Sequence, residues 1–329
     1  MIITRAPMRI SFFGGGTDFP EYFLDNRGAV LSTAIDKFTY VTASHFHSRL
    51  FSYAVRLSYS KGELVESIDQ IQHAVFRECL KFCGFSRDIE LHTVADLPSF
   101  TGLGTSSSFT VALLQALHAS KGEFVSGLQL AYEAIHVERH LLNECVGVQD
   151  QVVSAVGGFN VFEFYGEDDI RVRPVGLSAR RMRELESHLL LVFTDIKRRA
   201  ADVEKNKVSG FGAKKENLAA MRAMVDSGYD ALTSSGSLER FGRLLHEAWQ
   251  AKRGLSAGVA NESIDTMYKT GIENGAWGGK LLGAGGGGFL LFCAPPEAHS
   301  RIRAALSGKH CIEVTLAAPG ASVVFTNQN

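Results

Sequence analysis

The 329-residue chain has no surplus of positive charge: 34 Lys and Arg stand against 35 Asp and Glu, for a net charge of -1. It therefore lacks the basic footprint of a general nucleic-acid binder. A small anionic ligand held by a few local cations remains compatible with that balance. No apolar run approaches the roughly 18 residues that a membrane span needs, so no membrane partner is expected. The N-terminal MIITRAPMRISFF has no basic region followed by a long apolar core, and no secretion signal is read there. Cys79, Cys83, Cys145, Cys293 and Cys311 are scattered and form no CxxC pair. That argues against a disulfide framework or a zinc ribbon, and for the reduced thiols of a cytoplasmic protein. A Walker loop, GxxxxGK followed by Ser or Thr, is also missing, as are an internal repeat and a long linker.

What is present is an ordinary globular mix, 45% hydrophobic and 21% charged, with a length that suggests about two domains. Glycine stands out, with 33 residues. Alternation over Met8–Phe13, with Met8, Ile10 and Phe12 on one side and Arg9 and Ser11 on the other, predicts a strand. Further strands are expected at Val30–Ile35, Phe38–Ser44, Arg49–Tyr53, Val55–Tyr59 and Ile89–Ala95. Helices are expected at Ile71–Phe82, at the strongly apolar Phe109–Ala119, at Leu128–Asn143 behind a Ser126/Gln129 capping pair, and at Val148–Val156. Phe159–Tyr165 returns to strand. Beyond a boundary near 175–185 come strand His188–Thr194 and helices Asp202–Val225, Leu238–Arg253 and Ser263–Glu273. The tail reads strand Lys280–Leu282, glycine loop, strand Phe289–Cys293, helix Glu297–Leu306, and strands Ile312–Leu316 and Ser322–Phe325. Grouped runs of strands and helices predict an α+β fold rather than strict βαβ alternation, divided as residues 1–180 and 181–329.

Three glycine loops carry the chemistry. In Gly14-Gly15-Gly16-Thr17-Asp18 the glycines permit close ligand approach, and Asp18 can accept from sugar hydroxyls. Taken by itself the loop is explained by a purely local role, with Asp18 and Glu21 capping a helix over Pro20–Leu24. The second loop, Leu97-Pro98-Ser99-Phe100-Thr101-Gly102-Leu103-Gly104-Thr105-Ser106-Ser107-Ser108, lies between a strand and a buried helix. That is the recipe for a phosphate cradle: converging backbone N–H groups, a helix N-terminus, and the hydroxyls of Thr105, Ser106 and Ser107 for phosphate or Mg²⁺. The third, Gly283-Ala284-Gly285-Gly286-Gly287-Gly288, contains GxGxxG, but a strand follows it where a dinucleotide fingerprint needs a helix.

Carboxylates lie between the loops. Glu138 falls within the apolar stripe Leu128, Ala131, Ile135 and Leu142, and a core-facing acid needs a cation, a metal or a salt bridge. His136 and His140 stand four apart, but no third zinc ligand is visible. Asp150 opens a short helix, where it either stabilises the helix start or serves as a base or orienting group for an attacking hydroxyl.

Taken together, Pro7-Met8-Arg9-Ile10-Ser11…Gly16-Thr17-Asp18, Gly102-Leu103-Gly104-Thr105-Ser106-Ser107 and Gly283–Gly288 resemble the three motifs of the GHMP small-molecule kinases. The match runs in order over nearly the whole chain. GGGTD, Val148-Gln149-Asp150-Gln151 and Gly157-Gly158-Phe159-Asn160 most resemble the bacterial D-glycero-D-manno-heptose 7-phosphate kinases and related fucokinase domains. Thr105 departs from the usual Ser but keeps the hydroxyl. The resemblance implies a two-domain GHMP kinase fold, with an S5 domain 2-like, ATP-binding N-terminal domain and a ferredoxin-like C-terminal domain. It implies ATP and Mg²⁺, with Ser106 and Glu138 as metal ligands, Asp150 as the catalytic aspartate and Arg9 beside it. Nucleotide binding would fall to Pro98, Gly102, Leu103, Gly104, Thr105, Ser106 and Ser107. Acceptor binding would fall to Gly15, Gly16, Thr17, Asp18, Arg198, Gly285, Gly286 and Gly287, with Lys197-Arg198-Arg199 as a candidate site for a distal phosphate. The implied activity is phosphorylation of the anomeric hydroxyl of a heptose 7-phosphate in the cytoplasm. A kinase for a neutral sugar such as fucose or galactose, and a catalytically silent sugar-binding relative, are the alternatives. The oligomeric state is not readable from the sequence.

Overall fold

The computed structural model describes residues 1–196, 215–255 and 258–327. The chain opens with β1 (Ile2–Phe13), α1 (Pro20–Asn26) and the 18-residue β2 (Gly28–His45). The sequence suggested two strands where β2 is one. A register shift between Pro7 and Met8 skips Asp36 and Lys37, so the polar pair that interrupts the pattern is a bulge within one strand. The expected strand Arg49–Tyr53 is not formed. Ser48–Leu50 is a short turn of helix, and Phe46, Phe51 and Tyr53 pack on one another with centroids 5.3–5.6 Å apart. Aromatic enrichment there marked a local cluster, not a ladder.

Then follow β3 (Val55–Ser58), β4 (Gly62–Val65), α2 (Ala74–Phe82), β5 (Ile89–Ala95), α3 (Thr105–Ser120) and α4 (Gly127–Ile135). The Ser126 side chain accepts the Gln129 N–H at 3.2 Å, as the capping pair required. The long helix expected over Leu128–Asn143 does not continue as α-helix, because His136–Leu141 widens into a π-turn. Next come α5 (Gln149–Val156), β6 (Phe159–Gly166), β7 (Asp169–Pro174), α6 (Ala179–His188) and β8 (Leu189–Phe193). The chain closes with α7 (Lys215–Thr233), α8 (Glu239–Arg253), α9 (Glu262–Glu273), β9 (Gly278–Leu281), β10 (Phe289–Cys293), α10 (His299–Ala305), β11 (Cys311–Ile312) and β12 (Ser322–Thr326). The first part of the helix expected from Asp202 lies outside the described residues.

The strands form two sheets. The larger has the order β12-β1-β2-β5-β3-β4, with β6 paired to the first half of β2 and β7 to β6. The smaller is the antiparallel β11-β8-β10-β9. The expected strand Ile312–Leu316 shortens to two residues because the chain is leaving: Leu316 already bridges Ile35 of the large sheet. β12 then completes that sheet beside β1. Strands and helices are thus grouped, as an α+β fold requires.

Apolar alternation on β1 determines how the sheets meet. Met8, Ile10 and Phe12 are fully buried in one cluster with Leu189 and Leu191 of β8, Leu291 of β10, and Phe241 and Leu245 of α8. Sharing a core fixes the two sheets against each other. Among the described residues no helix is long and apolar enough to cross a membrane.

Candidate active site

Arg9 leaves β1 on the side opposite the Met8–Ile10–Phe12 face and is 3% exposed. Its backbone N–H donates to the Leu103 carbonyl at 2.9 Å, tying β1 to the second glycine loop. The guanidinium then meets Asp150 in the fork geometry: Nε to Oδ1 at 2.7 Å and Nη2 to Oδ2 at 2.8 Å, with Nη1 on the Gly102 carbonyl at 2.6 Å. One buried cation therefore holds the first turn of α5 against the second glycine loop.

Gly104 caps α3 with φ 74°, a left-handed conformation that other residues adopt at a cost. A Cβ at this position would lie 3.3 Å from Asp150 Oδ2, so the start of α3 and the carboxylate are in contact range. The third glycine loop closes the other side. A Cβ on Gly102 would sit 2.6 Å from the Leu282 carbonyl oxygen, an approach only glycine allows. The three hydroxyls of the loop are used differently. Thr105 is buried with its hydroxyl against Met8 Sδ at 3.7 Å, Ser106 is exposed, and Ser107 donates to Glu138 Oε2 at 2.9 Å.

Glu138 hangs from the π-turn, a distortion often found at functional sites because it redirects a side chain. It is 2% exposed, and no salt bridge reaches it among the described residues. Oε2 also accepts from Gln151 Nε2 at 2.5 Å. Burial pushes its carboxyl up to about 7, against the pull of the Thr110, Ser107 and Gln151 side chains; the charge of Glu144 adds to the rise. Among the described residues Oε1 finds no hydrogen-bond partner, and neither does Gln151 Oε1; the neighbouring Thr110 hydroxyl bonds the Ser106 carbonyl at 3.4 Å. Two unmatched buried oxygens beside an exposed serine hydroxyl suit a hard, oxygen-seeking cation. His136 and His140 join no group of three metal-binding side chains among the described residues.

Asp18 is 1% exposed and does not cap α1, whose N-cap is Phe19. Its Oδ1 accepts the Gly16 N–H at 2.8 Å and its Oδ2 the Gln149 N–H at 3.4 Å. Burial raises its pKa and the nearby Asp150 charge adds to the rise, while the Gly16 and Gln149 N–H groups oppose it. A cavity of about 370 Å³ joins these groups. On its wall stand Arg9, Gly15, Gly16, Asp18, Gly102, Gly104, Thr105, Ser106, Ser107, Glu138, Asp150, Gly285 and Gly287.

Other expected residues are spent elsewhere. The Thr17 hydroxyl bonds the Gly14 and Ala29 carbonyls, both at 2.8 Å. Leu103 is fully buried in the shared core, Pro98 is exposed with its carbonyl on Thr101, and Gly286 donates to Val259. Arg198, with Lys197 and Arg199, lies outside the described residues.

Two cavity lysines were missed by the sequence reading. Lys280, 4% exposed on β9, donates to the Ser11 and Phe12 carbonyls at 2.9 and 2.7 Å. Lys252, 7% exposed on α8, donates to the Leu281 and Gly283 carbonyls at 2.9 and 2.5 Å. The signal was present: Lys252 follows Leu245, Ala248 and Trp249 on the buried stripe of α8, and Lys280 stands in a strand buried at every position.

Two family models match the chain: GHMP kinases N terminal domain over residues 59–158, and GHMP kinases C terminal over residues 220–313. The chain is 34% identical over 312 residues to a D-glycero-alpha-D-manno-heptose 7-phosphate kinase of Campylobacter jejuni, covering 90% of both. It is 27% identical over 346 residues to the L-fucokinase/L-fucose-1-P guanylyltransferase of Bacteroides fragilis, covering 92% of this chain and 36% of that protein. Its fold is similar to that of a D-glycero-D-manno-heptose 1-phosphate kinase from Bacteroides thetaiotaomicron, with TM-score 0.82, 23% identity and 100% of both chains covered. It is also similar to that of Lactococcus lactis galactokinase, with TM-score 0.77, 16% identity, and 98% and 94% covered.

Proposed function

The chain belongs to the GHMP kinases and is a sugar kinase, and on that premise we propose that it transfers the γ-phosphoryl group of ATP to the anomeric hydroxyl of D-glycero-D-manno-heptose 7-phosphate. The product would be the 1,7-bisphosphate, a precursor of the nucleotide-activated heptoses used in surface polysaccharides. The similarity to the Campylobacter heptose 7-phosphate kinase favours this acceptor.

The observation that carries the reading is the Arg9–Asp150 fork pressed against Gly104, at the N-terminus of the helix that begins with Thr105 and Ser106. Phosphoryl transfer asks a protein mainly for positioning and charge neutralisation. The N-terminus of α3 and the loop amides would hold the polyphosphate. Asp150 would orient the attacking hydroxyl and receive its proton, while Arg9 holds the carboxylate in place and adds positive charge at the transfer centre. Asp18 would accept from acceptor hydroxyls. Ser106 and Glu138 would hold Mg²⁺, which, when bound, neutralises phosphate charge.

A coupled ADP-release assay over sugars and sugar 7-phosphates tests the acceptor. Turnover confined to neutral hexoses would transfer the chain to the fucokinase or galactokinase type. Tight sugar binding without turnover of any acceptor would make it a silent relative.

A further inference from the structure

Gly15 is a glycine for neither of the usual reasons. Its φ lies outside the left-handed range, and a Cβ added there would meet no atom closer than 4.0 Å. The two atoms it would meet at that distance are Ser11 Oγ and Gln149 Nε2. A methyl group would fit without strain, so what the glycine preserves is space, and that space belongs to the main cavity.

Both flanking side chains have unmet hydrogen-bonding capacity. Ser11 is 6% exposed, and its hydroxyl has no partner among the described residues. Gln149 Oε1 is buried and also has none. The backbones behind them are fixed: the Ser11 carbonyl accepts from Lys280 Nζ, and the Gln149 N–H faces Asp18 Oδ2. Both residues stand on the cavity wall with Asp18 and Asp150. Leaving buried polar atoms unbonded costs free energy, and the cost is recovered if a ligand completes them. The atoms that border the Gly15 gap match one alcohol: its oxygen accepts from Gln149 Nε2, and its hydrogen donates to Ser11 Oγ.

We propose that Ser11 and Gln149 form an acceptor subsite that reads one ring or side-chain hydroxyl of the sugar across Gly15. The inference rests on the sugar-kinase reading and adds two specificity-determining residues to it. A site built to bond a hydroxyl rejects analogues that lack it far more strongly than an apolar pocket rejects a lost methylene.

The test is a kinetic panel of the best acceptor and its monodeoxy analogues, run on wild type, Ser11→Ala, Gln149→Met and Gly15→Ala. In wild type, one deoxy analogue should lose roughly 10²-fold in kcat/KM. In Ser11→Ala and in Gln149→Met the same deletion should cost about tenfold or less, because one of the two partners is already gone, and in the double variant less than about threefold. Gly15→Ala should raise the acceptor KM by about tenfold or more while leaving the ATP KM and the Tm close to wild type. The subsite is overturned if each variant keeps the wild-type deoxy penalty, or if acceptor KM, ATP KM and Tm all deteriorate together, as a merely structural role would produce. If wild type phosphorylates no sugar, the sugar-kinase reading fails and the subsite with it; normal turnover with unaltered specificity in the variants defeats the subsite alone.

Discussion

Lys280 and Lys252 are nearly as deeply buried as Glu138, yet the two kinds of charge are handled in opposite ways. Each ammonium donates to a pair of main-chain carbonyls at the root of a glycine loop: Ser11 and Phe12 for the first loop, Leu281 and Gly283 for the third. On the cavity wall, Glu138 Oε1, Ser11 Oγ and Gln149 Oε1 have no partner among the described residues. A charge bonded to the backbone holds the frame in place, whereas an unbonded buried oxygen waits for something the fold does not supply. Substitutions at the loop roots should therefore register in stability and in both substrates, and those at the unbonded oxygens in ligand binding with the fold intact.

The strongest test lies where the two regions meet. Asp150→Asn should lower kcat by about 10²–10⁴ while ATP affinity stays within about twofold; a variant turning over at the wild-type rate would remove Asp150 from the chemistry. Next, Lys280→Met should cost about 2 kcal/mol of unfolding free energy in urea titration, since two carbonyls lose a charged donor, and should raise both KM values. Selective loss of acceptor affinity at full stability would instead place Lys280 among the ligand-reading groups. A smaller effect is expected from Glu138→Gln. It should weaken Mn²⁺ binding, followed by electron paramagnetic resonance, by about tenfold or more with little change in Tm; unaltered Mn²⁺ binding would sink the ligand assignment.

The smallest effect lies away from the cavity. The His118 ring bridges Glu133 and Glu123, both at 2.7 Å, and the hydrogen bond to Glu133, more than that to Glu123, raises its pKa above the ordinary histidine value against the opposing pull of burial. The folded state thus binds the proton more tightly than the unfolded chain. The resulting stability is complete below the unfolded histidine pKa and is lost as pH rises through the folded one. His118→Gln should flatten the dependence of the unfolding free energy on pH across that window, by no more than about 1 kcal/mol. A persisting slope would assign it to another group.

Much of this was legible from residue order. Alternation at Met8, Ile10 and Phe12 identified the β1 face that joins the sheets, and the strand–loop–helix order around Gly102 and Gly104 located the second glycine loop on the cavity wall. Glu138 was conspicuous as an acid in an apolar stripe. Other features were hidden because they depend on partners far along the chain. The break of the expected long helix into a π-turn at His136 is not encoded in a 3.6-residue pattern. Lys280 bonds carbonyls 268 and 269 positions away. The local capping role for Asp18 was a fair reading of D-x-x-E, but the carboxylate is taken up by Gly16 and by Gln149, 131 residues distant.

The sequence by itself determined the α+β class, the three glycine loops and the acids between them, because periodicity, turn chemistry and backbone freedom act over a few residues. Only the tertiary structure decided which polar atoms are bonded and which are left over. Hydrogen-bond satisfaction is a property of the closed fold: Arg9 finds Asp150 across 141 residues, while the Ser11 hydroxyl and Gln149 Oε1, brought together beside Gly15, find no partner among the described residues.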